Sequence, residues 1–210
     1  MSAHPDDEVM FFAPAVLEMA RQGVRISAWC LSQGNGDGLG AVRREELYQS
    51  YQALGVPKER VFVWDDVNLQ DGMEHVWDEM YIRQQFIKLA AKWGDMDAIL
   101  TFDAHGVSSH PNHVAVHRGA LAVRAHWRDG VAPTLLTVRT PPLATKFTGL
   151  PGALIARLIG HAPILFMATP IQYISALRAM QHHATQLVWF RYLYVLFSTL
   201  MYANVIDVWN

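Results

Sequence analysis

Apolar positions along the chain fall into two alternating patterns. Between Val9 and Gln22 they recur at Phe12, Val16, Met19 and Ala20, which is the spacing of one helical face, and Gly23 is a natural stop. Val24 to Leu31 alternates enough, with β-branched and aromatic members, to predict a strand. A glycine-rich loop, Gln33 to Gly40, follows, and then a helix over Ala41 to Leu54 that Gly55 and Pro57 end. Val61 to Val63 predicts a short strand, Glu74 to Lys92 a longer amphipathic helix, and Ala98 to Phe102 a buried strand. A loop over Asp103 to His113, a helix over 114–126, and strands at Thr134 to Val138 and Ile164 to Ala168 complete the series. Strands alternating with helices predict an α/β domain with a mostly parallel sheet and helices on both faces. The loops after Leu31 and Phe102 then lie at carboxyl ends of strands, where such sheets place their sites.

Two stretches break the alternation by being apolar throughout. Leu150 to Met167 holds only Arg157 and His161 as strongly polar residues. Leu187 to Val208 is rich in aromatic residues, with Arg191 as its only basic charge. A spanning helix needs about 20 apolar residues, but aromatic residues spread along the second stretch argue against spanning. A core helix is the first reading, a membrane-interface helix the second and a spanning helix the third.

Composition narrows the class. A chain of 210 residues, half of them hydrophobic, fits one domain (1–210) with a sizeable core. A net charge of −2 argues against a nucleic-acid binder. The single cysteine, Cys30, excludes an intramolecular disulfide, and its apolar surroundings read as a core thiol. No apolar region precedes His4, so the sequence carries no signal peptide. A buried strand is expected to lead into the first motif, and Met1-Ser2-Ala3 is too short to supply one.

That motif is Ser2-Ala3-His4-Pro5-Asp6-Asp7-Glu8, an imidazole and three carboxylates in five positions. Imidazole and carboxylate are ligands that a catalytic zinc accepts, three at a time with one position left open. His4 and Asp7 suit two of those places. Asp6 points elsewhere and is free to take a proton from the attacking water. An acidic first helical turn accounts for the carboxylates but leaves His4 and Pro5 without a role. A second motif, Ser108-Ser109-His110-Pro111-Asn112-His113, offers two histidines at a loop-to-helix junction. One can bind metal while the other faces substrate.

Ala-His-Pro-Asp-Asp-Glu followed by Ser-x-His-x-Asn-His resembles the LmbE-like, PIG-L-type family of zinc-dependent de-N-acetylases. The eukaryotic N-acetylglucosaminyl-phosphatidylinositol branch is the most similar. Leu31 to Gly40, Arg43-Arg44-Glu45-Glu46-Leu47, Thr101 to Val107 and Gln186 to Tyr194 carry the resemblance further. It implies a Rossmann-like three-layer sandwich that lacks its usual first strand and amino-terminal membrane anchor here. It implies Zn2+, with Fe2+ or another divalent metal as substitutes, on His4, Asp7 and His113. Asp6 would be the general base and His110 the oxyanion stabiliser or proton donor. Arg43 would meet a phosphate-bearing headgroup, the bland alternative being an Arg43–Glu46 pair within a helix. Asp103 would bind substrate or orient a histidine, or simply cap its loop. Relatives often carry Asp in place of Asn112, and here no charged Asp–His pair is expected from that position. Thr199 replaces an arginine of eukaryotic relatives. The other histidines, His117, His126, His161, His182 and His183, read as ordinary surface or core residues. The implied partners are GlcNAc-phosphatidylinositol, in the second step of glycosylphosphatidylinositol anchor synthesis, and the cytosolic surface of the endoplasmic reticulum membrane. A soluble, cytoplasmic deacetylase of another small GlcNAc conjugate and a non-catalytic scaffold are the alternatives.

Overall fold

In the computed structural model, residues 1–94, 96–127, 130–159 and 163–209 are described. His161 lies outside them. Sixteen helices and strands follow in order: α1 (Asp7–Met10), α2 (Ala13–Arg21), β1 (Ala28–Cys30), α3 (Gly40–Ala53), β2 (Val61–Val63), α4 (Glu79–Trp93), β3 (Ala98–Phe102), α5 (Gly106–Ser109), α6 (Pro111–Ala125), β4 (Thr134–Val138), α7 (Leu143–Lys146), α8 (Leu150–Ile159), β5 (Ile164–Met167), α9 (Pro170–His182), α10 (Trp189–Phe197) and β6 (Ala203–Trp209).

The strands form a parallel pair, β1 with β2, and a four-stranded sheet in the order β3-β4-β6-β5. β3 and β4 are parallel, and β6 runs against both β4 and β5. The expected mostly parallel sheet is therefore present, with β6 alone reversed. Met1 to Ala3 bridges the two sheets. Ser2 pairs in parallel with Cys30, its N–H donates to Trp29 O, and the Met1 amine donates to Leu100 O at 2.7 Å. These three residues form no strand of their own, but this bridge and its hydrogen bonds fix where His4 enters the site. α6 packs on β3 and β4 and against α4, while α2 packs on β5 and β6 and against α9. One apolar cluster containing Trp29, Phe86, Phe102, Leu135 and Met180 lies between these layers.

Several boundaries differ from the sequence expectation, each for a local reason. The helix expected from Val9 to Gln22 is two helices broken at Phe11 and Phe12. Pro14 forces the break: it has no N–H to donate and fits only the first turn of a new helix. The strand expected from Val24 shortens to Ala28–Cys30 because Val24 N–H still bonds back to Met19 O. α4 starts at Glu79, not Glu74, since the Asp78 carboxylate caps it by accepting Tyr81 N–H at 2.8 Å. The run from Leu187 to Val208 is no single helix. It is the nine-residue α10, a 3-10 turn and strand β6. A run that is apolar throughout carries no period from which to separate these. No helix among the described residues is long and apolar enough to cross a membrane.

Candidate metal and catalytic site

The site forms where the loop before α1 meets the loop between β3 and α6. Among the described residues, the only non-glycine residues with positive φ lie in these two loops: Asp6 at 91°, Val107 at 59° and Ser109 at 60°. Such backbone is uncommon outside glycine and clusters at functional sites. Gly106, at φ +57°, approaches so closely that an added Cβ would lie 2.7 Å from the Cβ of His113.

His4, Asp7 and His113 come together. One ligand atom of each lies within 4.8 Å of the others, and the rings of His4 and His113 are 5.4 Å apart. The hydrogen bonds around the cluster select its free lone pairs. His113 Nδ1 lies 3.0 Å from Gly106 O, so it carries the proton and leaves Nε2 bare. Asp7 Oδ2 accepts the N–H groups of Ala3 and His4, each at 2.8 Å. Its Oδ1 faces the bare His113 Nε2 at 3.3 Å. Two lone pairs pointed at each other in a buried site require a cation or a proton between them. His4 Nε2 lies 3.0 Å from both Asp71 Oδ1 and Asn112 Oδ1, so it donates to them and leaves Nδ1 for the cluster. Asn112 keeps its oxygen turned that way because its Nδ2 donates to His75 O. The charged acceptor that Asn112 does not provide is therefore supplied to His4 by Asp71.

The electrostatics agree. Burial opposes ionisation of Asp7, but the facing imidazole of His113, with that of His4 and its N–H, outweighs it and holds the carboxyl at about 2. Burial opposes protonation of His4, yet Asp71 and Asp7 raise it to about 9. A field that draws a proton onto a buried imidazole also suits a divalent cation. The donors, two imidazoles and a carboxylate, fit the group that the sequence implies.

Asp6 is buried beside this cluster and does not join it. Its Oδ2 accepts from Gln186 Nε2 at 3.0 Å and pairs with Arg191. Burial raises its carboxyl to about 6, with Arg191 opposing the shift. His110 sits on the other side, its ring 4.9 Å from His4 and 5.1 Å from His113. Burial and the neighbouring imidazoles of His4 and His113 push it down to about 4. Its Nδ1 caps α6 by accepting Asn112 N–H at 3.2 Å, so the neutral ring keeps a donor at Nε2. Arg43 lies in the same cavity, bonded to Gly34 O and Asp37 rather than to Glu46. Glu46 instead holds Thr185. Asp103 is not brought to the site. Its carboxylate is taken up by Thr140 and the His105 N–H, as in the loop-capping alternative. Thr199 is buried, and His117 is a core residue bonded to Phe102 O.

Sequence reasoning missed Asp71, Gln186 and Arg191. Asp71 lies in a turn with no motif. Gln186 and Arg191 lie in the stretch that carried the family resemblance, but no chemistry marked them individually. All seven of His4, Asp6, Asp7, Asp71, His110, His113 and Arg191 face a cavity of about 910 Å³. The cavity also has apolar lining from Phe147, Val188, Phe190, Leu193 and Phe197.

A three-layer α/β fold with a His/Asp/His cluster and a buried carboxylate at the sheet's end defines an LmbE-like deacetylase fold. The family model for GlcNAc-PI de-N-acetylases, PIG-L, matches residues 1–124, and the chain belongs to that family. It is 34% identical over 207 residues to the N-acetylglucosaminyl-phosphatidylinositol de-N-acetylase of Bos taurus, covering 99% of this chain and 81% of that protein. Among solved structures, it superposes on the N,N'-diacetylchitobiose deacetylase of Pyrococcus horikoshii with a TM-score of 0.70 at 17% identity, over 99% of this chain and 81% of that one. It also superposes on GalB, a hydratase of Pseudomonas putida, with a TM-score of 0.64 at 15% identity, over 99% and 93% of the two chains. The fold thus carries more than one reaction, and the activity has to be argued from the site.

Proposed function

We propose that this chain hydrolyses the acetamide of N-acetylglucosaminyl-phosphatidylinositol, with Zn2+ held by His4, Asp7 and His113. The observation that carries the reading is the bare His113 Nε2 facing Asp7 Oδ1 across 3.3 Å, with both residues' other polar atoms already taken. Fe2+ suits the same donors. When bound, the ion polarises the acetamide carbonyl and makes water a nucleophile near neutral pH. Asp6 takes the proton from the attacking water, and a carboxyl raised to about 6 is matched to that task. His110 donates from Nε2 to the developing oxyanion or to the leaving nitrogen, and its neutral state is sufficient for the first role. Arg43 lines the cavity, and its guanidinium suits the substrate's phosphate.

The lipid half of the substrate has its own support. One cavity wall is apolar, and α10, which builds it, also exposes Trp189, Tyr192 and Leu196. Gly149 N–H donates to Phe197 O at 2.7 Å and sets the start of α8 against the end of α10. α8 also exposes Leu150, Leu154 and Leu158. This shared apolar face suits contact with the surface of a membrane, here the cytosolic face of the endoplasmic reticulum.

The test is acetate release from GlcNAc-phosphatidylinositol in vesicles by chelated and metal-reconstituted protein. Activity restored by one equivalent of Zn2+ or Fe2+, lost in Asp6→Asn with metal retained, and lost with the metal in His113→Ala supports the reading. Stoichiometric metal in His113→Ala, or full activity in Asp6→Asn, overturns it. Activity confined to soluble GlcNAc conjugates overturns the lipid substrate alone.

A further inference from the structure

Behind Asp6 lies a closed ring of hydrogen bonds that the proposed chemistry does not use. Glu8 Oε2 accepts the Asp6 N–H at 3.0 Å. Glu8 Oε1 meets His183 Nε2 at 2.6 Å. His183 Nδ1 lies 3.1 Å from Gln186 Oε1. Gln186 Nε2 returns to the Asp6 carboxylate at Oδ2, 3.0 Å away, and also donates to Pro5 O at 2.7 Å. Ser50 Oγ adds a bond to Glu8 Oε1. Glu8, Ser50 and His183 have no solvent exposure at all.

The proton inventory fixes the direction of the ring at Gln186. Both Gln186 amide hydrogens are spent on Asp6 and Pro5, so its oxygen must accept and His183 Nδ1 must carry a proton. Glu8 Oε1 accepts from Ser50 and shares one proton with His183 Nε2 across 2.6 Å. Burial opposes a positive His183, and the Glu8 charge and bond push the other way.

A fully buried ion pair contributes little net stability compared with apolar residues of the same volume. What it offers is direction. The ring grips Asp6 at both ends, by the backbone N–H and by carboxylate Oδ2, and Asp6 has the left-handed backbone of φ 91°. Arg191 also ends on Oδ2. Every one of these contacts to the carboxylate leaves Oδ1 for the cavity.

We propose that Glu8, His183 and Gln186 are positioning residues that act as one unit, holding Asp6 so that Oδ1 faces the reacting water. The inference rests on the reading of Asp6 as the base. The ring is assembled from distant parts of the sequence: Glu8 comes from α1, Ser50 from α3, and His183 and Gln186 from the connection between α9 and α10.

The test uses two variants of the full chain loaded with Zn2+. The double variant Glu8→Met with His183→Leu removes both charges together and leaves neither unpaired. Gln186→Met removes only the last link, at the cavity edge. For each, kcat per bound metal, KM, metal stoichiometry and Tm are measured. A positioning role predicts one bound metal per chain, KM within about twofold, and kcat lower by about 100-fold, the cost of a misplacement of about 1 Å. That loss appears even where Tm is unchanged. Unaltered kcat in metal-loaded Gln186→Met, or in a folded double variant, overturns the inference while Asp6→Asn stays inactive. Full activity in Asp6→Asn instead overturns the reading of Asp6 itself.

Discussion

Replacing Gly106 by alanine tests whether backbone packing sets the metal site. The new Cβ would lie 2.7 Å from His113 Cβ and 3.1 Å from Val114 N, where ordinary contact begins at 3.4 Å. His113 Cβ must therefore retreat, or the loop open, by at least 0.3 Å (3.0 − 2.7), and by 0.7 Å (3.4 − 2.7) to reach ordinary contact. Gly106 also has φ +57°, which costs a non-glycine residue about 1–2 kcal/mol. A metal ligand tolerates only about 0.2 Å of displacement. Gly106 O is, in addition, the acceptor that fixes the His113 tautomer. Loss of such an outer partner lowers metal affinity about 10–100-fold, which is about 1.4–2.8 kcal/mol. The assay is competition for Zn2+ against a chelator of known affinity, with thermal unfolding of the metal-free protein alongside. Gly23→Ala is the control: its φ is +78° and nothing lies within 4 Å of the added Cβ, so it carries the conformational cost alone. Wild-type zinc affinity in Gly106→Ala, at a stability loss equal to that of Gly23→Ala, would refute the reasoning.

Three further outcomes are expected. Asp71→Asn removes the charged acceptor of His4 and lowers zinc affinity about 10–100-fold without abolishing binding; unchanged affinity in the same competition assay removes Asp71 from the site's support. Asp6 must be ionised to accept a proton and its carboxyl is raised to about 6 by burial, so kcat/KM is present above that pH and falls as pH drops through it. Arg191→Leu deletes the charge that opposes the shift, and a pH profile in which the acid limb fails to move upward contradicts the pairing. Leu158→Glu and Trp189→Glu each place a charge on the shared apolar face, and since burying such a side chain is worth about 1.5–3 kcal/mol, vesicle affinity by co-sedimentation falls at least tenfold; equal binding by both variants rules this face out as the contact.

Much of this was legible in the residues themselves, because it depends on chemistry or on local order. β3 and β4 are short apolar runs bounded by polar turns, and the strands lie where the pattern puts them. His4, Asp7 and His113 are recognisable because few other roles require those donor types at those positions. The left-handed Asp6, by contrast, has no signature in sequence, since its backbone is held by Glu8 and not by its own propensity. The end of the chain misled because uniform hydrophobicity reports burial or exposure to lipid but carries no period, and β6 became a strand only by finding β4 and β5 to pair with.

Residue chemistry alone marked two motifs whose donors suit an ion, since a lone pair belongs to its side chain wherever that side chain stands. Tertiary structure decided which lone pairs are free. Gly106 turned His113 by its carbonyl, Asp71 arrived beside His4 from a turn more than sixty residues away in sequence, and His183 reached Glu8 across 175 positions. Contacts at such separations depend on how helices and strands pack, and packing is a property of the whole chain that no local stretch contains.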